Sequence, residues 1–198
     1  MASGDGNNID MERDNDMKAA ILTDLSKCIG CGACALACEE INGLPPQEKP
    51  TKLSHDAWTA LESHGGVNVR RQCMHCLDPA CVSVCPVTAL QKTPKGPVIY
   101  DETRCIGCRY CMLACPYGIP RYDWDRNTPL VQKCKMCDPL LQEGRQPACV
   151  EACPALARTF GDLDDPNSEV SLLIKTHRGE VLHPELGNKP KVYYLAPR

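Results

Sequence analysis

Sixteen cysteines dominate the chemistry open to this chain, and they fall into four runs of four. The runs are Cys28, Cys31, Cys34, Cys38; Cys73, Cys76, Cys81, Cys85; Cys105, Cys108, Cys111, Cys115; and Cys134, Cys137, Cys149, Cys153. A disulfide framework spreads its cysteines to staple distant loops, whereas runs this tight are spaced for local chelation. The first and third read C-x2-C-x2-C-x3-C, the spacing in which a loop curls three thiolates around one 4Fe–4S cluster and passes the fourth to its neighbour. The third and fourth cysteines of such a run stand i and i+4 on a helix, about 5–6 Å apart on one face. They can therefore serve different clusters and hold the two close together.

The second run is C-x2-C-x4-C-x3-C and the fourth C-x2-C-x11-C-x3-C, so the outer elements persist while the central gap bulges. Proline follows the last cysteine at Pro86, Pro116 and Pro154, where it fixes the backbone and ends the unit; Glu39 follows Cys38 instead. A four-cysteine zinc site is the rival chemistry, and the fourth run alone resembles a zinc ribbon. The triple spacing C-x2-C-x2-C leaves a third thiolate that a ribbon does not use. Sixteen thiolates match four 4Fe–4S clusters.

Other polar residues near the runs are candidates for tuning. His75, between Cys73 and Cys76, reads either as a donor beside a cluster, an unusual ligand, or an ordinary loop histidine; Arg109, Lys135 and Arg104 could offset cluster charge or simply solvate their loops. His55, His64, His177 and His183 show no metal-ligand spacing. Trp58, Trp124 and the Tyr193–Tyr194 pair read as packing or interface residues.

The elements that must position these cysteines are small. With 17 Pro, 14 Gly, one Phe and two Trp in 198 residues, the chain can build only a modest apolar core, so the metal sites must help organise the fold. Apolar runs at Met17–Leu25, Val67–Arg70 and Val98–Tyr100 precede cysteine loops, and helical stretches follow at CALACEEI, CVSVC and CMLAC. Strand, cysteine loop, short helix is thus an internal repeat of an α+β unit. The insert after Cys38, opening with Gly43, Pro45 and Pro46 and holding Trp58, reads as a surface loop or cap. Beyond Cys153 the pattern gives a strand Arg158–Phe160, a helix entered at Asp165–Pro166 through SEVSLLIKT, and a last strand KVYYL.

The formal net charge of −3 offers no case for nucleic acid, and no dense Lys/Arg run appears. With thiolates and four oxidised cluster cores counted, the charge becomes roughly −11, which makes nearby cations valuable. No window approaches the ~18 apolar residues of a membrane span. Residues 1–16 are polar, with neither an apolar export region nor a twin arginine, and read as a mobile tail. Nothing in the sequence matches a nucleophile–base motif, a phosphate loop or G-x-G-x-x-G, so a non-catalytic role is expected.

Four runs make two dicluster modules, and either first with second and third with fourth, or second with third enclosed by first with fourth, is open. The gaps of 19 and 18 residues on either side of the third run are nearly equal, although the 34 between Cys38 and Cys73 count against the sequential scheme.

The segments CIGCGACALAC, CMHCLDPACVSVCPVTAL, CIGCRYCMLACPYGIPRYDW and CKMCDPLLQEGRQPACVEACP resemble the four motifs of iron–sulfur (beta) subunits of membrane-associated oxidoreductases. That family includes subunits accompanying molybdopterin enzymes, such as dimethyl sulfoxide, polysulfide and thiosulfate reductases and formate dehydrogenase, and that of a periplasmic nickel–iron hydrogenase. The resemblance runs from about Met17 to Leu195. It implies the nested pairing: Cys28, Cys31, Cys34 with Cys153; Cys134, Cys137, Cys149 with Cys38; Cys73, Cys76, Cys81 with Cys115; and Cys105, Cys108, Cys111 with Cys85. The implied fold is two ferredoxin-like modules, an outer one from 17–41 and 130–160 and an inner one from 70–129, with 42–69 as insert and 161–198 as a wrapping extension.

The implied role is electron relay between a catalytic subunit and a membrane subunit handling quinone or haem. Some relatives replace one cysteine and hold a 3Fe–4S cluster, and some add a C-terminal membrane helix; the complete cysteine set and polar C-terminus here imply four 4Fe–4S clusters and attachment through a separate subunit. Co-export as a partner's passenger would place the chain on the periplasmic face, and cytoplasmic residence is the alternative. A free-standing polyferredoxin is the rival within the same chemistry.

Overall fold

The computed structural model describes residues 17–197; the expected tail at 1–16 lies outside them. In chain order the elements are β1 (Ala19–Asp24), α1 (Ala33–Asn42), β2 (Ala60–His64), β3 (Val67–Arg71), α2 (Ala80–Ser83), β4 (Leu90–Lys92), β5 (Val98–Tyr100), α3 (Tyr110–Ala114), β6 (Arg121–Tyr122) and β7 (Val131–Gln132). There follow α4 (Asp138–Gln142), α5 (Ala148–Glu151), β8 (Arg158–Asp162), α6 (Glu169–His177), β9 (Glu180–Val181), a 3₁₀ turn at Pro184–Leu186 and β10 (Val192–Leu195). The α+β reading holds, with each cysteine loop opening a short helix.

The largest sheet has the order β8-β1-β10-β9. Its centre, β1, reads AAILTD without alternation because both faces are covered, and Ala19 through Thr23 are all buried. β8 pairs with it antiparallel, setting Ile21 opposite Phe160, and β10 pairs parallel, setting Ile21 opposite Val192. Chain beyond the last cysteine thus supplies three of the four strands. α6 starts at Ser168, whose hydroxyl accepts from the Ser171 N–H, and it buries Val170 against β1 and β8. The helix begins three residues later than the Asp–Pro pair suggested, because serine is the residue that caps it.

Three two-stranded ladders complete the fold: β2-β3, β4-β5 and β6-β7. The first occupies the segment expected to be a surface loop or cap. It forms a hairpin turning at Gly65–Gly66, and Ala57, Trp58, Ala60 and Leu61 are buried. Trp58 packs edge-on against Tyr100, with ring centroids 6.1 Å apart, and joins a core of Val98, Tyr117, Ile119, Tyr122 and Val131. That core includes the cysteines themselves, so most of the scarce aromatic residues pack directly around the thiols.

Candidate metal centres

All sixteen cysteines are free thiols, and the folded chain gathers them in fours. Cys28, Cys31 and Cys34 lie on the loop between β1 and α1, and Cys153 follows α5; together they line one cavity with Arg70 and Arg158. Cys105, Cys108 and Cys111 precede and enter α3, and with Cys85 and Tyr122 they line a second. The other two groups show in the electrostatics. Burial pushes the Cys38 thiol up to about 11, Arg70 opposing and Cys149 and Cys137 adding to it. Burial likewise raises Cys134 and Cys137 to about 12, each with Cys149 among its near neighbours. Cys76 and Cys81 are raised to about 12 by burial, with Cys73 and Cys115 as the next influences in this direction.

The loops are shaped by residues in the left-handed backbone region. The second residue after each run's first cysteine is Gly30 (φ 67°), His75 (φ 44°), Gly107 (φ 69°) or Met136 (φ 56°). All four loops adopt the same conformation there because the chain must turn sharply to point two thiols one way. Glycine does this without strain, whereas His75 and Met136 hold a conformation costing on the order of 1–3 kcal/mol that surrounding structure must offset. A Cβ on Gly107 would lie 2.6 Å from the Pro129 carbonyl oxygen, so this loop also needs glycine for close approach.

The helices tie the groups in a line. α1 carries Cys34 and Cys38 and packs on α5, which carries Cys149 just ahead of Cys153, so first and second groups share two helices. α2 and α3 pack together and link Cys81 to Cys85 and Cys111 to Cys115, joining third and fourth. Between them, Cys134 of the second group and Cys73 of the third lie within electrostatic reach of each other. One cysteine at each end, Cys31 and Cys108, is exposed, whereas every cysteine of the two central groups is buried or half-buried, as is Cys111 at the fourth end.

The donor sets suit iron–sulfur clusters. Among the described residues no three His, Cys, Asp or Glu side chains are grouped to hold a single metal ion; the thiols border larger spaces. Buried donors without any partner gather in the segments next to them: Arg70 Nε, Gln72 Nε2, His75 Nε2 and Arg158 Nε. Such orphans fit a sulfur-rich anionic group that accepts from them.

Comparison with known proteins finds matches along most of the chain. A 4Fe-4S dicluster domain model matches residues 67–163, and a 4Fe-4S binding domain model matches 21–40. The chain is 39% identical to the hydrogenase-2 operon protein HybA of Escherichia coli O157:H7, covering 82% of this chain and 57% of HybA. A protein of Nitratidesulfovibrio vulgaris is 43% identical over 73% of this chain and 44% of its own length. The chain therefore spans about half the length of these two. The arsenate respiratory reductase iron-sulfur subunit ArrB of Shewanella sp. ANA-3 is 34% identical over 90% of this chain and 96% of its own. This chain belongs to the iron–sulfur electron-transfer subunits of oxidoreductases.

An iron–sulfur subunit binds 4Fe–4S clusters, and its sequence-predicted tuning residues sit differently around the thiols. His75 is fully buried; the Val98 N–H donates to its Nδ1 at 3.0 Å, and burial, with Lys133 and Lys92 nearby, holds the ring well below its ordinary pKa. A neutral ring accepting at Nδ1 carries its proton on Nε2 and has no lone pair free for iron. Arg109 lies over the exposed Trp124 ring at 4.4 Å, and Lys135 over Tyr100 at 4.3 Å and Trp58 at 5.3 Å. Arg104 pairs with Asp101 at 3.5 Å. Several residues that the sequence reading passed over also stand beside the cysteines. Arg70 and Arg158 line the first cavity. Lys92 Nζ donates to the carbonyls of His75, Cys76 and Gly96, Lys133 Nζ to those of Val98 and Cys134, and Tyr122 Oη meets Cys111 Sγ at 3.0 Å. The alternation of VNVRRQC, which puts Arg70 and Gln72 on one face, is the signal that could have found the first of these.

Proposed function

We propose that this chain is a four-cluster wire that relays electrons between a catalytic oxidoreductase subunit and a membrane subunit handling quinone or haem. The observation that carries the reading is the linear order of thiol groups, with an exposed cysteine at each end, Cys31 and Cys108, and none exposed between. When bound, each 4Fe–4S cluster supplies one-electron redox chemistry. The ligand sets are Cys28, Cys31, Cys34, Cys153; Cys38, Cys134, Cys137, Cys149; Cys73, Cys76, Cys81, Cys115; and Cys85, Cys105, Cys108, Cys111. Shared cavities and mutual electrostatic influence support them. The outer module comprises 17–41 and 130–160 and the inner 70–129, with 42–69 as insert and 161–198 wrapped against the outer sheet.

The protein's own groups exclude water from the two central sets, point N–H donors at sulfur, as Met136 does to Cys134 at 3.4 Å, and hold His75 as a neutral donor. Arg109 and Lys135 keep their charge while resting on aromatic faces and remain candidates for tuning the potentials. The names of HybA and ArrB, from a hydrogenase operon and a reductase, support a catalytic partner. Among the described residues no helix is long and apolar enough to cross a membrane; in this reading a partner subunit supplies the membrane attachment, on the periplasmic face if the chain is co-exported with it.

The test is anaerobic purification of the tagged chain from its own cells, with iron quantification and low-temperature EPR of the reduced protein. The reading expects about sixteen irons per chain, four for each cluster, and co-purification of a large subunit. A colourless protein holding zinc, or a brown one that elutes alone as a stable monomer, contradicts it.

A further inference from the structure

Two arginines meet inside the protein where no carboxylate waits for them. Arg70, on β3, and Arg158, on β8, are 2% and 7% exposed, although 87 residues separate them in the chain. Both guanidiniums donate to the same oxygen, Gln72 Oε1, Arg70 from Nη1 and Arg158 from Nη2 at 3.0 Å. Among the described residues neither is in an ion pair with Asp or Glu. The Nε of each and the Gln72 Nε2 are buried without a partner.

Two buried cations sharing one neutral acceptor repel each other and have lost their hydration, an arrangement that needs an anion close by. The anions on offer are thiolates. Both arginines line the cavity of Cys28, Cys31, Cys34 and Cys153, and Arg70 also donates to the Cys34 carbonyl at 3.4 Å. On its other side Arg70 is under the influence of Cys149, Cys38 and Cys134, and Cys149 feels both arginines. The pair thus stands between the first and second thiol sets. Lys92 is held on the Cys76 carbonyl of the third set and Lys133 on the Cys134 carbonyl of the second, and the fourth cavity has no arginine or lysine in its wall.

Resting on the four-cluster reading above, we infer that Arg70 and Arg158, bridged by Gln72, are positioning residues that raise the reduction potentials of the first and second clusters together. An added electron makes a cluster more negative, and a fixed cation nearby favours that state. Because the pair touches both sets, it lifts them relative to the third and fourth without favouring either strongly over the other. An electron then rests more readily in the outer module than in the inner.

The experiment is an EPR-monitored redox titration of the purified complex, wild type against Arg70→Gln, Arg70→Lys and Gln72→Glu. In Arg70→Gln, two of the four clusters are expected to become at least tenfold harder to reduce at fixed ambient potential, ~59 mV for one electron, while the other two keep their values. Gln72→Glu keeps the shape and places a carboxylate between the cations, so it should shift the same two clusters in the same direction. Arg70→Lys should stay near wild type. Unshifted potentials in Arg70→Gln and Gln72→Glu, an equal shift of all four clusters, or the same shift in Arg70→Lys as in Arg70→Gln overturns the inference. If Arg70→Gln loses iron, Gln72→Glu decides alone; loss of iron in both also overturns it, in favour of a role in assembly. Wild-type protein with fewer than four clusters fails the underlying reading instead, so the two failures are distinguishable.

Discussion

The two ends of the thiol line use the same local sequence and different surroundings. C-x2-C-x2-C places Cys28, Cys31 and Cys34 at one end and Cys105, Cys108 and Cys111 at the other, with glycine at φ 67° and 69° in the matching position and the middle cysteine exposed. At the first end two buried arginines stand in the cavity wall. At the fourth the wall offers the Tyr122 hydroxyl on Cys111, and Arg109, which follows Cys108 in the chain, is turned onto Trp124. Ligation is thus a property of the motif, and electrostatic setting a property of what the fold brings against it.

Metal removal gives the largest expected effect. With the middle cysteine exposed at both ends, a chelator under mild oxidation should strip about half the iron in a fast phase and the remainder slowly, the first and fourth clusters leaving before the buried second and third. Iron release followed at the cluster absorption band, with EPR on quenched samples, checks this; a single phase would break the distinction between ends and centre.

The matched glycines separate the ends next. In Gly107→Ala the new Cβ meets the Pro129 backbone carbonyl, whereas in Gly30→Ala it meets the Asn68 side-chain amide, which can swing away at the expense of its 3.0 Å bond to the Cys28 carbonyl. Both pay the left-handed penalty of about 1–3 kcal/mol. Gly107→Ala should therefore destabilise by ~3 kcal/mol or more and Gly30→Ala by about 2, read from anaerobic thermal unfolding. Equal losses would mean that the Pro129 contact relaxes freely.

Tyr122→Phe removes one hydrogen bond from Cys111 Sγ at the fourth end alone. A neutral hydrogen bond contributes ~0.5–1.5 kcal/mol, so the fourth cluster's potential should fall by roughly 20–65 mV, by the conversion in which tenfold is 59 mV. The first cluster should not move. The smallest effect belongs to Arg109→Ala, which loses an exposed cation–π contact and should cost about 0.5–1 kcal/mol of stability with full iron retention.

How far the sequence reached follows from the range of each interaction. The cysteine runs, the strands at Ala19–Asp24, Val67–Arg71 and Val98–Tyr100, and the short helices opening at Ala33, Ala80 and Tyr110 were legible because spacing and periodicity are local. The strand Ala60–His64 that pairs with Val67–Arg71 in a hairpin was not, since the prolines ahead of it and the glycines after it resemble a loop until Trp58 finds Tyr100. Arg109 and Lys135 stood out by adjacency to cysteine, yet nearby aromatic rings take them. Arg70 and Arg158 passed unnoticed because nothing local says that strands so distant in sequence bring two guanidiniums to one glutamine.

The central claim is that each run lends its fourth cysteine to another run's cage. Low-temperature EPR of the reduced protein tests it most directly, comparing Cys153→Ser with Cys31→Ser and Cys137→Ser. The account predicts that Cys153→Ser alters the same signal as Cys31→Ser and leaves the one altered by Cys137→Ser intact. If Cys153→Ser instead alters the signal that Cys137→Ser alters, the fourth run closes on itself and the linked line of clusters is wrong.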